Sequence, residues 1–239
     1  MPRALPPRTT AALAVLVLAL VPTAGCGGDE SSSSGGSGSS PSASPTRPPG
    51  ALSKAELKKA LLTEQDFPSG WAATDLGASD KAGDLGADNK QCQGLLDAVS
   101  GDKSRTEATR DFEKSESGPF VSNGVASYGK SGAKKALRDF KRLSSRCKGF
   151  TSKGGGGAVT FTVAPMTLPA FGDESAGLRL TGRAKGGPAD GLALSMQLLV
   201  ARVGPSTTGV AHMSVLGPDG KITSKLMRRA VERLRESAP

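Results

Sequence analysis

The chain has 239 residues, 36% of them hydrophobic, and its formal net charge is +9 at pH 7. With one histidine, three cysteines and no C-x-x-C motif, it lacks the residues of a conventional zinc or redox centre. Beyond the N-terminal region, no segment approaches the length of a transmembrane helix. We therefore expect one folded domain without a metal or a cofactor.

The N-terminus has the pattern of a lipoprotein signal peptide. Two arginines precede an apolar run over 11–21 that is too short to span a bilayer, and Thr23-Ala24-Gly25 supplies small residues before Cys26. An aliphatic residue usually stands where Thr23 does, so an ordinary secretory signal is the alternative. The pattern predicts a signal peptide over 1–25, lipidation of Cys26, and attachment to the extracytoplasmic face of the cell membrane.

Residues 26–50 follow as the lipidated cysteine and a tether. From 27 to 50 the sequence is almost wholly Gly, Ser, Pro and Thr, without a large aliphatic or aromatic side chain that could enter a core. We expect this segment to be disordered. A flexible chain of this length typically reaches about 27 Å. It would hold the domain predicted over 51–239 clear of the lipid headgroups.

Four helices are predicted in this domain. Ser53 and Glu56 have the spacing of a capping box, which indicates a helix from about 54 to 62. A second short helix is expected over 89–99. The third and fourth have apolar residues at steps of three and four, as amphipathic helices do. These residues are Ala133, Ala136, Leu137, Phe140, Leu143 and Cys147 in the third helix and Leu226, Met227, Ala230, Val231 and Leu234 in the fourth.

Cys92 and Cys147 remain once Cys26 is assigned to the lipid. Cys92 belongs to the second predicted helix, and Cys147 ends the apolar stripe of the third, so it should face inward. An even pair in an exported protein is most simply a disulfide. Two free buried thiols are the alternative.

Alternation of apolar and polar residues predicts about six strands. The segments are 106–114, 120–128, 159–163, 178–181, 192–200 and 210–216. Neighbouring strands with helices before, between and after them are typical of the α+β class. We therefore predict an antiparallel sheet of about six strands, flanked by about four helices and carrying one disulfide.

Motifs of serine nucleophiles are incomplete. The pattern S-x-x-K occurs from Ser100 to Lys103 and from Ser131 to Lys134, but the S-x-N element that accompanies it in penicillin-binding enzymes is missing. Such matches arise by chance in a chain rich in Ser, Gly and Lys.

Two further candidates for acid or base chemistry have simpler explanations. His212 alternates with apolar neighbours, so we expect it on the polar face of its strand, exposed or merely hydrogen-bonded. Asp173 and Glu174 are adjacent at the start of a strand and would point to opposite faces, which favours a role in a turn or at an edge. We predict that the protein is not an enzyme.

The third predicted helix carries many basic residues and a single acid, Asp139. Beyond the membrane, and without interleaved aromatic residues, such a stripe favours anionic lipid headgroups, wall polymers or acidic glycans over nucleic acid. A solvated outer face is the plainer explanation. The candidate polyanion-binding residues are Lys134, Lys135, Arg138, Lys141, Arg142 and Arg146.

Several short motifs follow one another along the domain. Cys92, on the second predicted helix, follows the first of them. The motifs are Leu62 to Trp71 (LTEQDFPSGW), Ser127-Tyr128-Gly129 before the basic helix, Phe171 to Ser175 (FGDES), and Val200 to Gly204 (VARVG). In these motifs and their order, nearly all of 52–236 resembles the PknH-like extracellular sensor domain. That domain occurs outside mycobacterial Ser/Thr kinases and alone in actinobacterial lipoproteins.

The resemblance implies a helix-flanked antiparallel sheet with a cleft thought to receive an unidentified extracytoplasmic ligand. The chain differs from the kinase sensors because it has no kinase or transmembrane segment, and because it can form one disulfide where they have two. Any signal would then have to pass through a separate partner.

Two functions are compatible with these features. The first is a membrane-anchored, non-enzymatic binding or sensor-like module whose cleft takes a small or lipid-like ligand. The alternative is a cell-envelope interaction protein that uses its basic helix on anionic wall polymers, lipids or a protein partner.

Overall fold

The computed structural model describes residues 50–75, 86–99, 106–128, 131–154, 157–215 and 217–238. Within these ranges the chain forms four α-helices, two short 3-10 helices (Glu64–Asp66 and Gly187–Ala189) and eight strands. The helices are α1 (Lys54–Ala60), α2 (Lys90–Val99), α3 (Gly132–Arg146) and α4 (Gly220–Glu236). The strands are β1 (Ala72–Thr74), β2 (Thr106–Glu113), β3 (Phe120–Ser127), β4 (Gly149–Gly154), β5 (Gly157–Met166), β6 (Glu174–Lys185), β7 (Ala193–Val203) and β8 (Ser206–Ser214).

The eight strands form one antiparallel sheet in the order β1-β2-β3-β8-β7-β6-β5-β4. The α+β class and the antiparallel sheet are confirmed, but the predicted number of about six strands is wrong. The two strands that were missed, β1 and β4, are the edges of the sheet. An edge strand has one neighbour and buries few side chains, so a three-residue strand such as Ala72–Thr74 shows no alternation.

The helices lie where the sequence predicts them. The capping box of α1 is present, because the Ser53 backbone N–H donates to the Glu56 carboxylate at 2.6 Å and the Glu56 N–H donates to Ser53 Oγ at 3.3 Å. The helix ends at Ala60, two residues before the predicted boundary, since Leu61 has extended backbone angles. The fourth helix is longer than its apolar stripe and begins at an Asp219 cap.

The helices cover the two faces of the sheet in an offset manner. On the first face, α4 packs on β7 and β8 and α1 packs on β2 and β3. On the second face, α3 packs on β5, β6, β7 and β8, with α2 against α3. Part of each face therefore has no helix over it. On the first face the uncovered part lies over β5 and β6 and bears exposed polar side chains, which are Thr160, Thr162, Arg179, Thr181 and Arg183.

The predicted disulfide is confirmed. Cys92 of α2 is bonded to Cys147, the residue directly after α3, and both are buried in the core on the second face. The bond fixes the helix pair α2 and α3 as one unit. The two cysteines are 55 positions apart in the sequence. A disulfide that closes a loop of this length stabilises the folded state by about 4 kcal/mol in the chain-entropy model.

His212 lies in the core, so its expected place on an exposed polar face is wrong. Its side chain is 1% exposed because it points to the first face of β8, which α4 covers. Thr223 of α4 donates its hydroxyl to the Asp219 carbonyl at 2.9 Å, so His212 Nδ1, 2.8 Å away, is the donor to Thr223 Oγ1. Among the described residues, Nε2 has no partner. The histidine is hydrogen-bonded, as expected, but it is not a surface residue.

Burial of His212 makes stability depend on pH. Desolvation lowers its pKa from 6.5 to about 4, because a proton on Nε2 would have no acceptor in the core. Between these two values the unfolded chain binds a proton that the folded chain does not, so the free energy of unfolding falls as the pH falls. We expect a loss of about 3 kcal/mol across this window, which urea unfolding at a series of pH values would measure.

The matched control is His212→Asn, which retains a donor toward Thr223 but does not titrate. This variant should show only the acid destabilisation that its carboxylates cause, which it shares with the natural protein. Equal pH dependence in the two proteins would contradict the assignment of the effect to His212.

Candidate functional site

An open groove lies on the second face of the sheet, where α3 no longer covers the strands. Its volume is about 270 Å³, and it runs between α3 and β2, the second strand from the edge. The lining comes from four strands, from α3 and from the residue after β3. The lining residues are Glu107, Ala108, Thr109, Ser122, Gly124, Val125, Ala126, Tyr128, Ala136, Leu137, Phe140, Leu198, Val200, Thr207, Gly209 and Ala211.

The floor of the groove consists of small residues on the two adjacent strands β3 and β8. Three cross-strand pairs form it, and they are Ser122 with Ala211, Gly124 with Gly209, and Ala126 with Thr207. None of these side chains is longer than threonine. The groove is deep because the sheet presents almost no side-chain volume here.

The two central glycines leave open space above the strands. A Cβ atom on Gly124 would have its nearest neighbour at 3.7 Å, and a Cβ on Gly209 would have its nearest neighbour at 3.5 Å, which are ordinary contact distances. By contrast, a Cβ on Gly149 would lie 2.6 Å from the Phe161 carbonyl oxygen, so backbone packing requires that glycine. Packing does not require the floor glycines. A glycine inside a strand often marks a place where another molecule approaches closely.

The walls differ in polarity. Ala136, Leu137 and Phe140 of α3 form an apolar wall, and Leu198 and Val200 of β7 continue it along the floor. The opposite side carries the hydroxyls of Thr109 and Ser122 and the carboxylate of Glu107. Among the described lining residues there is no lysine, arginine or histidine. The groove therefore combines an apolar body with hydroxyl groups and one carboxylate.

Tyr128 stands at one end of the groove. Burial raises the pKa of its hydroxyl, a hydrogen bond with the Thr207 side chain opposes this shift, and the charge of Glu107 adds to it. Tyr128 is therefore protonated at neutral pH. It can act as a hydrogen-bond group toward a ligand, but not as a base.

The N-terminal part of the chain joins the folded body beside Tyr128. The backbone N–H of Leu52 donates to Ser127 Oγ at 2.8 Å, and the N–H of Tyr128 donates to the Pro205 carbonyl at 3.0 Å. Gly50 also lies against Pro205, since a Cβ on this glycine would be 3.7 Å from the proline ring. We call this end of the sheet, marked by Gly50, Tyr128 and the β7–β8 turn at Pro205, the tether end.

The six basic side chains predicted as a polyanion site are all exposed on α3, but they do not form one uniform patch. Lys135 and Arg142 both pair with Asp139, at 2.6 and 3.4 Å, and Lys141 pairs with Glu174 at 2.7 Å. The other three have no ion pair with any residue that the structure describes, and they are Lys134, Arg138 and Arg146. Whether this surface binds polyanions stays a prediction.

Asp173 and Glu174 hold the ends of β6 and β7 together. Asp173 accepts hydrogen bonds from Arg202 at 2.9 Å and from the Gly204 N–H at 2.8 Å. The hydrogen bond from Lys141 lowers the pKa of Glu174, so this carboxylate is ionised. Both have charged partners at the end of the sheet, as their predicted edge role requires.

Most of the remaining predicted sites lie outside the described residues. Cys26, the signal peptide over 1–25 and the tether up to residue 49 lie outside the described residues, as do Ser100 and Lys103. Of the second S-x-x-K match, Ser131 and Lys134 are both exposed at the start of α3. In the described part of the chain, no group of three or more His, Cys, Asp or Glu side chains is arranged to hold a metal ion.

A second cavity, of about 330 Å³, opens on the first face near Arg110 and Arg233. The charged side chains at this cavity bind other parts of the protein. Asp66 accepts from Arg229 at 3.0 Å and from Arg233 at 2.8 Å, and Arg110 donates to the Leu62 carbonyl at 3.0 Å. Burial would raise the pKa of Asp66, but hydrogen bonds from Thr63 and the two arginines lower it. This cluster fastens α4 to the segment after α1.

Sequence reasoning missed the groove. Its signal was present in β3 and β8, where small residues that face the groove alternate with residues buried on the first face. In β3, Ser122, Gly124 and Ala126 alternate with Val121, Asn123 and Val125, and in β8, Thr207, Gly209 and Ala211 alternate with Thr208, Val210 and His212.

Comparison with known proteins gives the fold. No family model matches the chain, and no curated protein matches its sequence. Among solved structures, the extracellular domain of PknH from Mycobacterium tuberculosis is similar, with a TM-score of 0.53 and 10% identity over 78% of this chain and 98% of that domain. None of the helices in the described ranges is both long and apolar enough to span a bilayer. The chain thus has the fold of the PknH extracellular domain.

Proposed function

We propose that the protein is a non-enzymatic, extracytoplasmic binding module that takes a small or lipid-like ligand in the groove between α3 and β2. The observation that carries this proposal is the floor, where small residues on two adjacent strands keep a groove open beside an apolar helix face. Ligand sites are typically concave and mostly apolar, with a few polar groups that fix orientation. The groove has this composition.

The volume and polarity of the groove indicate the size and the chemical class of the ligand. Pockets for small molecules commonly measure about 300 to 1,000 Å³. At about 270 Å³ this groove lies just below that range, so it suits a small ligand or part of a single hydrocarbon chain. Each buried methylene contributes about 0.8 kcal/mol, and six of them about 5 kcal/mol. Tyr128, Thr109 and Ser122 would pair with hydroxyl, ester or amide groups. Because no described lining residue is cationic, an anionic group would stay at the mouth.

The groove offers little for catalysis. Glu107 is the one carboxylate among its described lining residues, and Tyr128 has a raised pKa. His212 lies on the other face of the sheet, with its Nδ1 committed to Thr223. Acid and base chemistry needs groups that titrate near the working pH and reach the substrate. These facts support binding rather than turnover.

Filling the groove should abolish ligand retention. In Gly124→Leu the new Cβ would make only an ordinary contact, with Thr109 Cγ2 at 3.7 Å, and the rest of the side chain would project into the groove, so the fold should persist while the cavity is occupied. Native mass spectrometry of protein purified from its own host should show a bound small molecule on the natural protein and none on this variant.

Thr162→Leu is the matched control, since it adds the same side chain at an exposed position of β5 outside the groove. It should retain the ligand. A molecule bound equally to both variants, or an empty natural protein that takes up no lipid from a host extract, would contradict the groove as the binding site.

We further propose that Cys26 is lipidated and is the membrane attachment of the protein. The disulfide supports an oxidising, extracytoplasmic compartment, and the fold is that of an extracellular domain. The signal peptide pattern and the tether composition agree with this location. Signalling, if any, would need a partner protein.

The anchor can be tested with Cys26→Ala. Without the thiol no lipid can be attached, so the variant should leave the membrane fraction and appear in the soluble extracytoplasmic fraction, as measured by immunoblotting. A control with Cys92→Ala and Cys147→Ala keeps Cys26 and should remain membrane-bound. Retention of the Cys26→Ala chain on membranes after a high-salt wash would refute lipid attachment.

A further inference from the structure

Three of the exposed basic residues on α3 lie at the tether end of the sheet. Lys141 contacts Glu174, and Glu174 is paired across the strands with Arg202, which is paired in turn with Thr207. This row ends beside Tyr128 and the Pro205 turn, where Gly50 joins the folded body. Lys134 and Arg138 lie on the same helix face as Lys141, at steps of four and three residues.

The acids around this ridge, formed by Lys134, Arg138 and Lys141, are largely engaged. Asp173 accepts from Arg202, and Glu174 accepts from Lys141 with Arg202 4.0 Å away. Asp139 pairs with Lys135 and Arg142 on the neighbouring stripe of the helix. Lys134 is near enough to Glu174 for its charge to help lower the pKa of that carboxylate, but neither Lys134 nor Arg138 makes an ion pair with a described residue, and both are exposed.

The same end also carries the point of attachment and one end of the groove. The Tyr128 end of the groove adjoins the residues that receive the chain from the tether, through the Leu52 to Ser127 and Tyr128 to Pro205 hydrogen bonds. The tether predicted over 26–50, for which a flexible chain would reach roughly 27 Å, would keep this end near the surface that holds Cys26. The attachment point, the basic ridge and one end of the groove therefore lie at the same end of the sheet.

We propose that the ridge of Lys134, Arg138 and Lys141 docks on the anionic headgroups of the membrane that holds Cys26, so that the groove takes a hydrocarbon chain from that membrane. This inference rests on the proposed function, because it assumes the anchor and the groove. Each Lys or Arg without an ion pair strengthens binding to a nearby anionic surface by a factor of about five. Two such residues give about 30-fold, and a tether of the predicted length and composition would supply an effective concentration in the millimolar range. Docking would be reversible.

The test uses the chain from residue 26 with Cys26→Ala, so that no lipid anchor contributes. This chain keeps every helix, strand and core that the structure describes. Co-flotation with vesicles of equal parts phosphatidylglycerol and phosphatidylcholine should show binding that is absent with pure phosphatidylcholine and is reversed by salt. Replacing Lys134, Arg138 and Lys141 together by Gln should weaken binding about 30-fold.

The matched control replaces Lys153, Arg179 and Lys185 together by Gln. It removes the same charge from exposed side chains of β4 and β6 on the first face, so it should bind almost as the parent chain does. Equal loss in both triple variants would mean that only net charge matters and would overturn the proposal. So would binding to soluble anionic wall polymer without binding to the vesicles.

Failure of this inference is separable from failure of the proposed function. A chain that ignores the vesicles but still carries a small molecule that Gly124→Leu excludes would refute the docking surface and leave the groove as the binding site. Vesicle binding that depends on the ridge, in a protein whose groove stays empty, would support the docking surface and refute the groove as a ligand site.

Discussion

The structure depends on the offset between the two helix layers and the eight-stranded antiparallel sheet. Each pair of helices is too narrow to cover all the strands. Both faces are covered over β7 and β8, but β2 and β3 are covered only on the first face and β5 and β6 only on the second. An uncovered part of a sheet face must be polar, small or occupied, because an exposed apolar surface of that size is unfavourable in water. On the first face the chain has threonines and arginines over β5 and β6. On the second face β3 and β8 bear glycine, alanine, serine and threonine beside the apolar flank of α3. The small size of these side chains creates the groove.

The position of α3 decides the width of the groove. Its C-terminal end is bonded through Cys147 to Cys92 of α2, and its N-terminal end is held by close packing, since a Cβ on Gly132 would meet Tyr128 at 2.5 Å. The apolar wall that Leu137 and Phe140 provide is therefore fixed at both ends. A preformed groove of this kind binds without a large ordering cost, which suits a module whose role is to hold a ligand rather than to transform it. The disulfide, which lies outside the groove, thereby supports the site.

The sequence allowed the helices to be placed, because amphipathic periodicity and caps are local signals. The Cys92–Cys147 bond was also predictable, since Cys147 ends the buried stripe of α3. The edge strands β1 and β4 were not predictable, because a strand with one neighbour carries little alternation.

His212 was assigned to the wrong environment because its burial also depends on tertiary contacts. Both faces of β8 bear small or apolar residues, and only the tertiary placement of α4 decides that Val210 and His212 are covered while Gly209 and Ala211 line a groove. The same ambiguity hid the groove, whose small residues resemble the general Gly and Ala richness of the chain.

The central claim is that the small-residue floor of β3 and β8 is the binding surface, and amide chemical shifts provide its most direct test. Titration of the isotope-labelled Cys26→Ala chain, taken from residue 26, with monomeric lysophospholipid should move the backbone amide signals of Gly124, Ala126 and Gly209 most. Signals near the second cavity, such as Arg110 and Arg233, should stay in place. Shifts that cluster around Arg110 and Arg233, or that leave the floor amides unchanged at saturation, would contradict the account.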